Sequence, residues 1–163
     1  MAPLLPPVLP EGEEVRKLLA DLVGKPVALK AAPGPPRPNA APQVQAVYVT
    51  DEGDLHASCS IDLALAANLG AALAMMPPSA AQDALKWGRL NDLLVDCARE
   101  VLNVMSRLFN RAGGVHVVVG EVVVAPAALK PDARARLQRA SLQREFEFEV
   151  QGYGRGRIVI RIL

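Results

Sequence analysis

The sequence lacks a concentrated block of basic residues. Its 163 residues carry 18 Lys and Arg against 17 Asp and Glu, which gives a formal charge of +1. Domains that bind nucleic acid usually carry a basic patch or stripe, so this balance argues against nucleic acid as the main partner. The densest positive run, between Arg134 and Arg144, is interleaved with or followed by acidic residues. We interpret it as a solvated helix or turn rather than a phosphate-binding patch.

Cysteine and histidine are scarce. Cys59 and Cys97 lie in apolar periodic segments, with no second Cys or His at ligand spacing. They are therefore interpreted as small buried hydrophobic residues, and no metal site is predicted. His56 and His116 lie in strand-like segments, and we interpret both as packed or hydrogen-bonded rather than catalytic.

A long uninterrupted apolar run is also missing. The most apolar segment, 61–76, contains Asp62 and Asn68 and stops at Pro77, whereas a membrane helix needs roughly eighteen or more apolar residues. The N-terminal segment is broken by prolines and has no basic region of the kind that begins a signal peptide. We expect a soluble cytoplasmic protein that does not contact a membrane.

The hydrophobic content of 51% in 163 residues suits a single domain over 1–163, with a proline-rich tail at 1–10 and a proline-rich loop at 31–42. Apolar spacing predicts a helix over 11–23 that stops at Gly24. Strands are predicted at 26–30, 43–50 and 54–60, followed by a largely buried Ala-rich helix at 61–76.

The second half begins with a long predicted helix over 80–111, with Trp87 interpreted as a core anchor. A buried strand at 115–124 follows, and then strands at 144–150 and 157–163 joined by a glycine-rich turn. Both halves thus read as a helix followed by three strands. This order predicts an α+β fold, pseudo-duplicated, with a largely antiparallel sheet packed by long helices.

The long helix carries a polar stripe with the spacing Asp96-x3-Glu100-x2-Asn103. At about 100° per residue, these three side chains fall within roughly 60° of one another. The apolar residues lie on the opposite side of the same helix: Leu90, Leu94, Val101, Met105 and Leu108. We therefore expect an acid and an amide to face solvent together, one turn apart.

This string, followed after twenty-two further residues by Pro126, resembles the signature of the CheC/CheX/FliY chemotaxis phosphatases. The order of elements agrees with the CheC-like fold over most of the chain. The resemblance implies a phosphatase that hydrolyses the aspartyl phosphate of a CheY-like response regulator in chemotaxis or two-component signalling. It also implies a homodimer.

By the same resemblance, Asn103 holds a water in line with the phosphorus and Glu100 pairs with the regulator's lysine. An amide suits the first role because it offers both an acceptor and two donors. Pro126 shapes the neighbouring loop and Asp96 flanks the site. No cofactor of its own is expected, because the phosphorylated regulator brings its Mg²⁺.

Relatives usually carry a small residue four positions after the amide, where this chain has Arg107. A long cation there either crowds the docking partner or contacts phosphate. The alternative function is a non-catalytic CheC-like domain that binds a response regulator or a flagellar switch component. The first helix offers Glu11-x2-Glu14, with a carboxylate where the amide stands, so a single CheX-like site is predicted.

Overall fold

The computed structural model describes residues 3, 5–34, 43–124, 128–140 and 142–163, with 31–34 by their backbone alone. In chain order the elements are α1 (Gly12–Val23), β1 (Val27–Gly34), β2 (Val44–Thr50), β3 (Leu55–Ile61), α2 (Leu63–Leu73), α3 (Pro78–Trp87), α4 (Asp92–Val104), a 3-10 helix (Met105–Phe109), β4 (Val117–Val123), α5 (Pro131–Gln138), β5 (Leu142–Val150) and β6 (Gly154–Ile162). Within these ranges, no helix is long and apolar enough to cross a membrane.

The strands form one six-stranded sheet in the order β1-β5-β6-β3-β2-β4, and neighbouring strands pair antiparallel. The last strands of the two halves, β3 and β6, pair at the centre. The first strand of each half crosses to the other half: β1 pairs with β5, and β4 pairs with β2. The predicted α+β, pseudo-duplicated, antiparallel architecture is confirmed, and this exchange of strands joins the halves into one domain.

The main core lies on one face of the sheet, where residues of α1, α2 and α4 pack against inward-facing strand residues. Residues 146–150 of β5 show the period of two that a half-buried strand requires, whereas Glu145, just before them, is buried as well. Phe146, Phe148 and Val150 are fully buried, whereas Glu147 and Glu149 are only partly buried. On the opposite face, α5 covers the β2–β4 end of the sheet through Leu137, which packs in a small cluster with Val47 and Val123.

The predicted continuous helix over 80–111 is wrong. Helix α3 ends at Trp87, because Gly88 is its C-cap and adopts a left-handed φ of 70°. Helix α4 then starts anew at Asn91, whose Oδ1 accepts a hydrogen bond from the N–H of Leu94 at 2.9 Å. After Val104 the chain tightens into the 3-10 helix. The two helices can therefore take different directions, and the polar stripe lies on α4.

Several other boundaries also differ from the prediction. Strand β1 extends to Gly34, into the proline-rich segment, which is compatible with Pro33 because β1 is an edge strand. The predicted buried strand at 115–124 is the other edge, and Val118 is 43% exposed. Helix α2 starts only at Leu63, after Asp62 caps it by accepting from the N–H of Leu65 at 2.8 Å. Residues 35–42 of the proline-rich loop lie outside the described residues.

Candidate functional site

Helix α4 presents the predicted acid–amide face to solvent. Asp96, Glu100 and Asn103 are exposed, while Leu94 and Val101 on the opposite side are fully buried. The buried side of α4 packs mainly against α2, and also against β2. The prediction that these three polar side chains face outward is confirmed.

The side chains of Glu100 and Asn103 make no hydrogen bond or ion pair with another described residue. The other two asparagines of this segment are engaged. Asn91 caps α4. Asn110 donates to the carbonyl of Val117 at 2.9 Å and accepts from its N–H at 2.8 Å, which ties the end of the 3-10 helix to β4. Asn103 therefore has its donors and acceptor available for a ligand, and it has no visible structural task.

The 3-10 helix changes the direction of Arg107, which is exposed. An α-helix turns about 100° per residue and a 3-10 helix about 120°. With these ideal values, Arg107 lies about 100° around the axis from Asn103, instead of the 40° of a continuous α-helix, and Glu100 lies between them at about 60°.

A buried tyrosine fixes the backbone directly before the amide. The hydroxyl of Tyr48, on β2, donates to the carbonyl of Leu102 at 2.6 Å. The Tyr48 ring is fully buried and lies 4.9 Å, centroid to centroid, from the ring of Phe109. Burial raises the pKa of Tyr48 well above its ordinary value, so the hydroxyl remains a donor at any physiological pH.

Tyr48 was not among the predicted site residues. The available signal was a tyrosine in an otherwise apolar strand, because a buried phenol usually finds a hydrogen-bond partner. A second hydrogen bond also anchors α4 to the sheet: Arg99 donates to the carbonyl of Val122 on β4 at 3.2 Å. These two hydrogen bonds connect α4 to β2 and β4. The helix that carries Glu100 and Asn103 is therefore fixed against the sheet.

The remaining predicted site residues divide into two groups. Pro126 lies outside the described residues, and its position beside the helix stays a prediction. In the first half, Glu11 is the N-cap of α1 and forms a capping box with Glu14. Glu11 also pairs with Arg144 at 3.2 Å, and Glu14 with Arg111 at 3.1 Å. These two carboxylates have structural partners, in agreement with a single candidate site on α4.

Of the two cysteines interpreted as buried, Cys59 is buried and burial raises the pKa of its thiol to about 12, whereas Cys97 is only partly buried. His116 lies 2.8 Å from a carboxylate oxygen of Asp51, and burial lowers the pKa of His56. No group of three or more His, Cys, Asp or Glu side chains suited to a metal ion occurs in the described ranges. The interpretation of Trp87 as a core anchor is wrong, since it is 70% exposed.

No family model matches the sequence, and no curated protein matches it. Among solved structures, FliY of Thermotoga maritima superimposes with a TM-score of 0.60 at 14% identity, over 91% of this chain and 82% of that chain. FliM in the FliM–SpeE complex of H. pylori gives 0.59 at 10% identity, over 92% and 80%. The CheX–CheY–BeF3–Mg²⁺ complex of Borrelia burgdorferi gives 0.55 at 12% identity, over 92% and 93%. The chain therefore has the CheC/CheX/FliY-like fold.

Proposed function

We propose that this domain is a phosphatase that accelerates hydrolysis of the aspartyl phosphate of a response regulator in chemotaxis or two-component signalling. One observation carries the proposal. Glu100 and Asn103 are exposed one turn apart on a braced helix, and neither is engaged by another described residue. The fold adds support, because a CheX of this fold forms a complex with CheY, BeF3 and Mg²⁺.

The proposed chemistry is positioning of a water molecule. An aspartyl phosphate is a reactive mixed anhydride, and the regulator supplies its own Mg²⁺, so this domain needs no cofactor. The carboxamide oxygen of Asn103 accepts a hydrogen bond from the water and directs its oxygen at the phosphorus. The new P–O bond forms as the bond to the aspartyl oxygen breaks, the aspartate leaves as a carboxylate, and the water's proton passes to solvent. Holding the water in line accounts for the acceleration.

Glu100 has a different task in this scheme. A carboxylate cannot donate to phosphate oxygens, and it repels an anion. It lies about one turn before Asn103 on the same face, within reach of a cation that the regulator carries beside its phosphate. A charge pair across the interface fixes the register of the two proteins as well as adding to affinity.

The test is the phosphoryl lifetime of a panel of response regulators from the same genome, with and without this protein. Asn103→Ala is expected to abolish the acceleration and to leave regulator binding largely intact, because the amide acts mainly in the transition state. Gln138→Ala is the matched control, since Gln138 is an exposed amide at the end of α5. Equal loss of rate in the two variants would refute a specific role for Asn103.

The second candidate function is a non-catalytic interaction domain that binds a response regulator or a flagellar switch component. Arg107 favours it, because relatives usually have a small residue there. The fold likeness to FliM, found in complex with SpeE, shows that structures of this type engage other proteins. Regulator binding with an unchanged phosphoryl lifetime would support this function over the first.

Two further expectations belong to the same proposal. A protein that acts on a response regulator works in the cytoplasm. A homodimer is expected because, among the described strands, the outer edges of β1 and β4 pair with no further strand, and an exposed edge pairs readily with another strand. Light scattering that gives a monomer mass at high micromolar concentration would remove the dimer without affecting the fold.

A further inference from the structure

Large apolar side chains are exposed where α3 ends and α4 begins, a region here called the α3–α4 corner (Met76, 83–93). Trp87 is 70% exposed, Leu93 is 50% exposed and Leu85 is 45% exposed. The α3 face that packs on α2 is made of the small residues Ala81 and Ala84, so the indole has no place in the core. An exposed tryptophan is costly to hydrate and is the residue type most enriched at binding hot spots.

The corner also contains a cavity of about 630 Å³. Apolar groups from Met76, Ala84, Trp87 and Leu90 line it, and the charged side chains Asp83, Arg89 and Asp92 stand at the same cavity. This combination suits an apolar side chain that a protein partner inserts with a basic group beside it, because two of the three charges are carboxylates.

The corner is continuous with the acid–amide face of α4. Leu93 precedes Glu100 by seven residues, which places the two about 20° apart around the helix. Asp92 precedes Asn103 by eleven residues, which again gives about 20°. A surface that covers Asp92 and Leu93 therefore lies on the same side of the helix as the pair, and a single partner can reach both.

The size of a protein interface requires such an extension. A stable complex buries about 800 Å² on each partner, whereas Glu100 and Asn103 are only about 4.5 Å apart along the helix axis. From Asp92 to Asn103 the same face of α4 runs for about 16 Å, and Trp87 lies beyond its N-terminal end. A partner docked at the pair needs apolar contact area nearby, and the corner supplies it.

We propose that the α3–α4 corner is the hydrophobic anchor site for the receiver domain of the response regulator whose phosphate approaches Asn103. The inference rests on the proposed function and names the partner of the same site. The receiver domain presents an apolar side chain to the cavity beside Trp87, and a basic side chain to Asp83 and Asp92. Binding strength then comes largely from the corner, and catalysis from the acid–amide pair.

Trp87 is the one tryptophan in the sequence, so its fluorescence reports the corner directly. The probe is a tryptophan-free receiver domain of the same genome, treated with beryllofluoride and Mg²⁺. On titration, the emission is expected to shift to the blue and acrylamide quenching to fall at least threefold, because the indole leaves water. Trp87→Ala is expected to weaken binding at least tenfold and to leave kcat within twofold. Leu142→Ala is the control, since Leu142 is a 36% exposed apolar residue on β5.

The outcomes separate the inference from the proposed function. Accelerated phosphate release with Trp87 still fully quenchable overturns the inference and leaves the phosphatase standing. A blue shift with an unchanged phosphoryl lifetime supports the anchor site and refutes the phosphatase. A blue shift that depends only on this protein's own concentration overturns the inference, because the occupant is then a second copy. A panel in which no receiver domain alters the emission also overturns it.

Discussion

The hydrogen bond from Tyr48 to the carbonyl of Leu102, 2.6 Å long and fully buried, offers a way to move Asn103 without touching it. Tyr48→Phe keeps the ring and its packing against Phe109 but removes the donor. A buried hydrogen bond contributes about 1 kcal/mol net, and up to about 3 kcal/mol is lost if the carbonyl finds no other donor. For a domain of this size each kcal/mol lowers Tm by about 2–4 °C, so a decrease of roughly 2–12 °C is expected.

The effect on activity follows from where the bond lies. Because Tyr48 is buried, it cannot contact the docked regulator. The loss of its hydroxyl should therefore leave KM for the regulator unchanged. The loss of this hydrogen bond loosens the backbone directly before Asn103. A misplaced water-orienting group lowers kcat, since a displacement of about 1 Å can reduce the rate up to a hundredfold. We expect kcat to fall several-fold with KM constant. Thermal unfolding and single-turnover phosphate release are the two assays.

Tyr153→Phe is the matched control for this experiment. The Tyr153 hydroxyl donates to the carbonyl of Met76, which lies at the α3–α4 corner and not next to Asn103, at the same distance of 2.6 Å. Each variant loses one hydrogen bond to a backbone carbonyl, buried for Tyr48 and part-buried for Tyr153, and kcat should fall only in Tyr48→Phe. If both variants keep full kcat, or if both lose it equally, the positioning role of Tyr48 is refuted.

Three further predictions concern other residues. Glu100→Ala is expected to raise KM and lower kcat together, because an interprotein charge pair serves both docking and alignment; a change in kcat alone would contradict this. Arg107→Ala is expected to lower the rate about ten- to hundredfold, since a charge-assisted hydrogen bond to phosphate is worth about 1.5–3 kcal/mol; a higher rate would show that Arg107 obstructs the partner. Asp62→Asn is expected to stabilise the fold at pH 7, because burial raises the pKa of Asp62 and the folded state therefore holds the charged form at a cost. That cost is absent below the unfolded pKa of about 3.9, so the advantage should vanish in acid denaturation curves, whereas Asp62→Ala should lose about 1 kcal/mol with the cap.

The exposure of the acid–amide pair was predictable because it depends only on helical periodicity within one uninterrupted helix. Glu100 and Asn103 lie inside α4 with Leu94 and Val101 buried on the other side, and the spacing alone fixes those faces. The alternation of β5 was predictable for the same reason, with a period of two. A pattern of buried and exposed residues that repeats within one helix or strand can be predicted without knowing how the rest of the chain packs.

The break between α3 and α4 was not predicted, because Leu90 and Leu94 keep helical spacing across it. Gly88 and Asn91 are residue types that commonly cap helices, but the helical spacing that continues past them predicts one uninterrupted helix. Trp87 was misplaced as a consequence, since the direction of its side chain depends on where α3 stops. The 3-10 helix and the Tyr48 bond depend on packing between β2 and α4, which no local pattern encodes.

The central claim is that Asn103 orients a water for attack on an aspartyl phosphate. The decisive measurement is the phosphoryl lifetime of a bound response regulator with wild-type protein and with Asn103→Ala. Each protein is used at a concentration at which the change in Trp87 emission on binding is complete. We expect a shortened lifetime with the wild type and the regulator's own lifetime with the variant, at equal occupancy. An unchanged lifetime with saturating wild-type protein would contradict it and would leave an adaptor on the same fold.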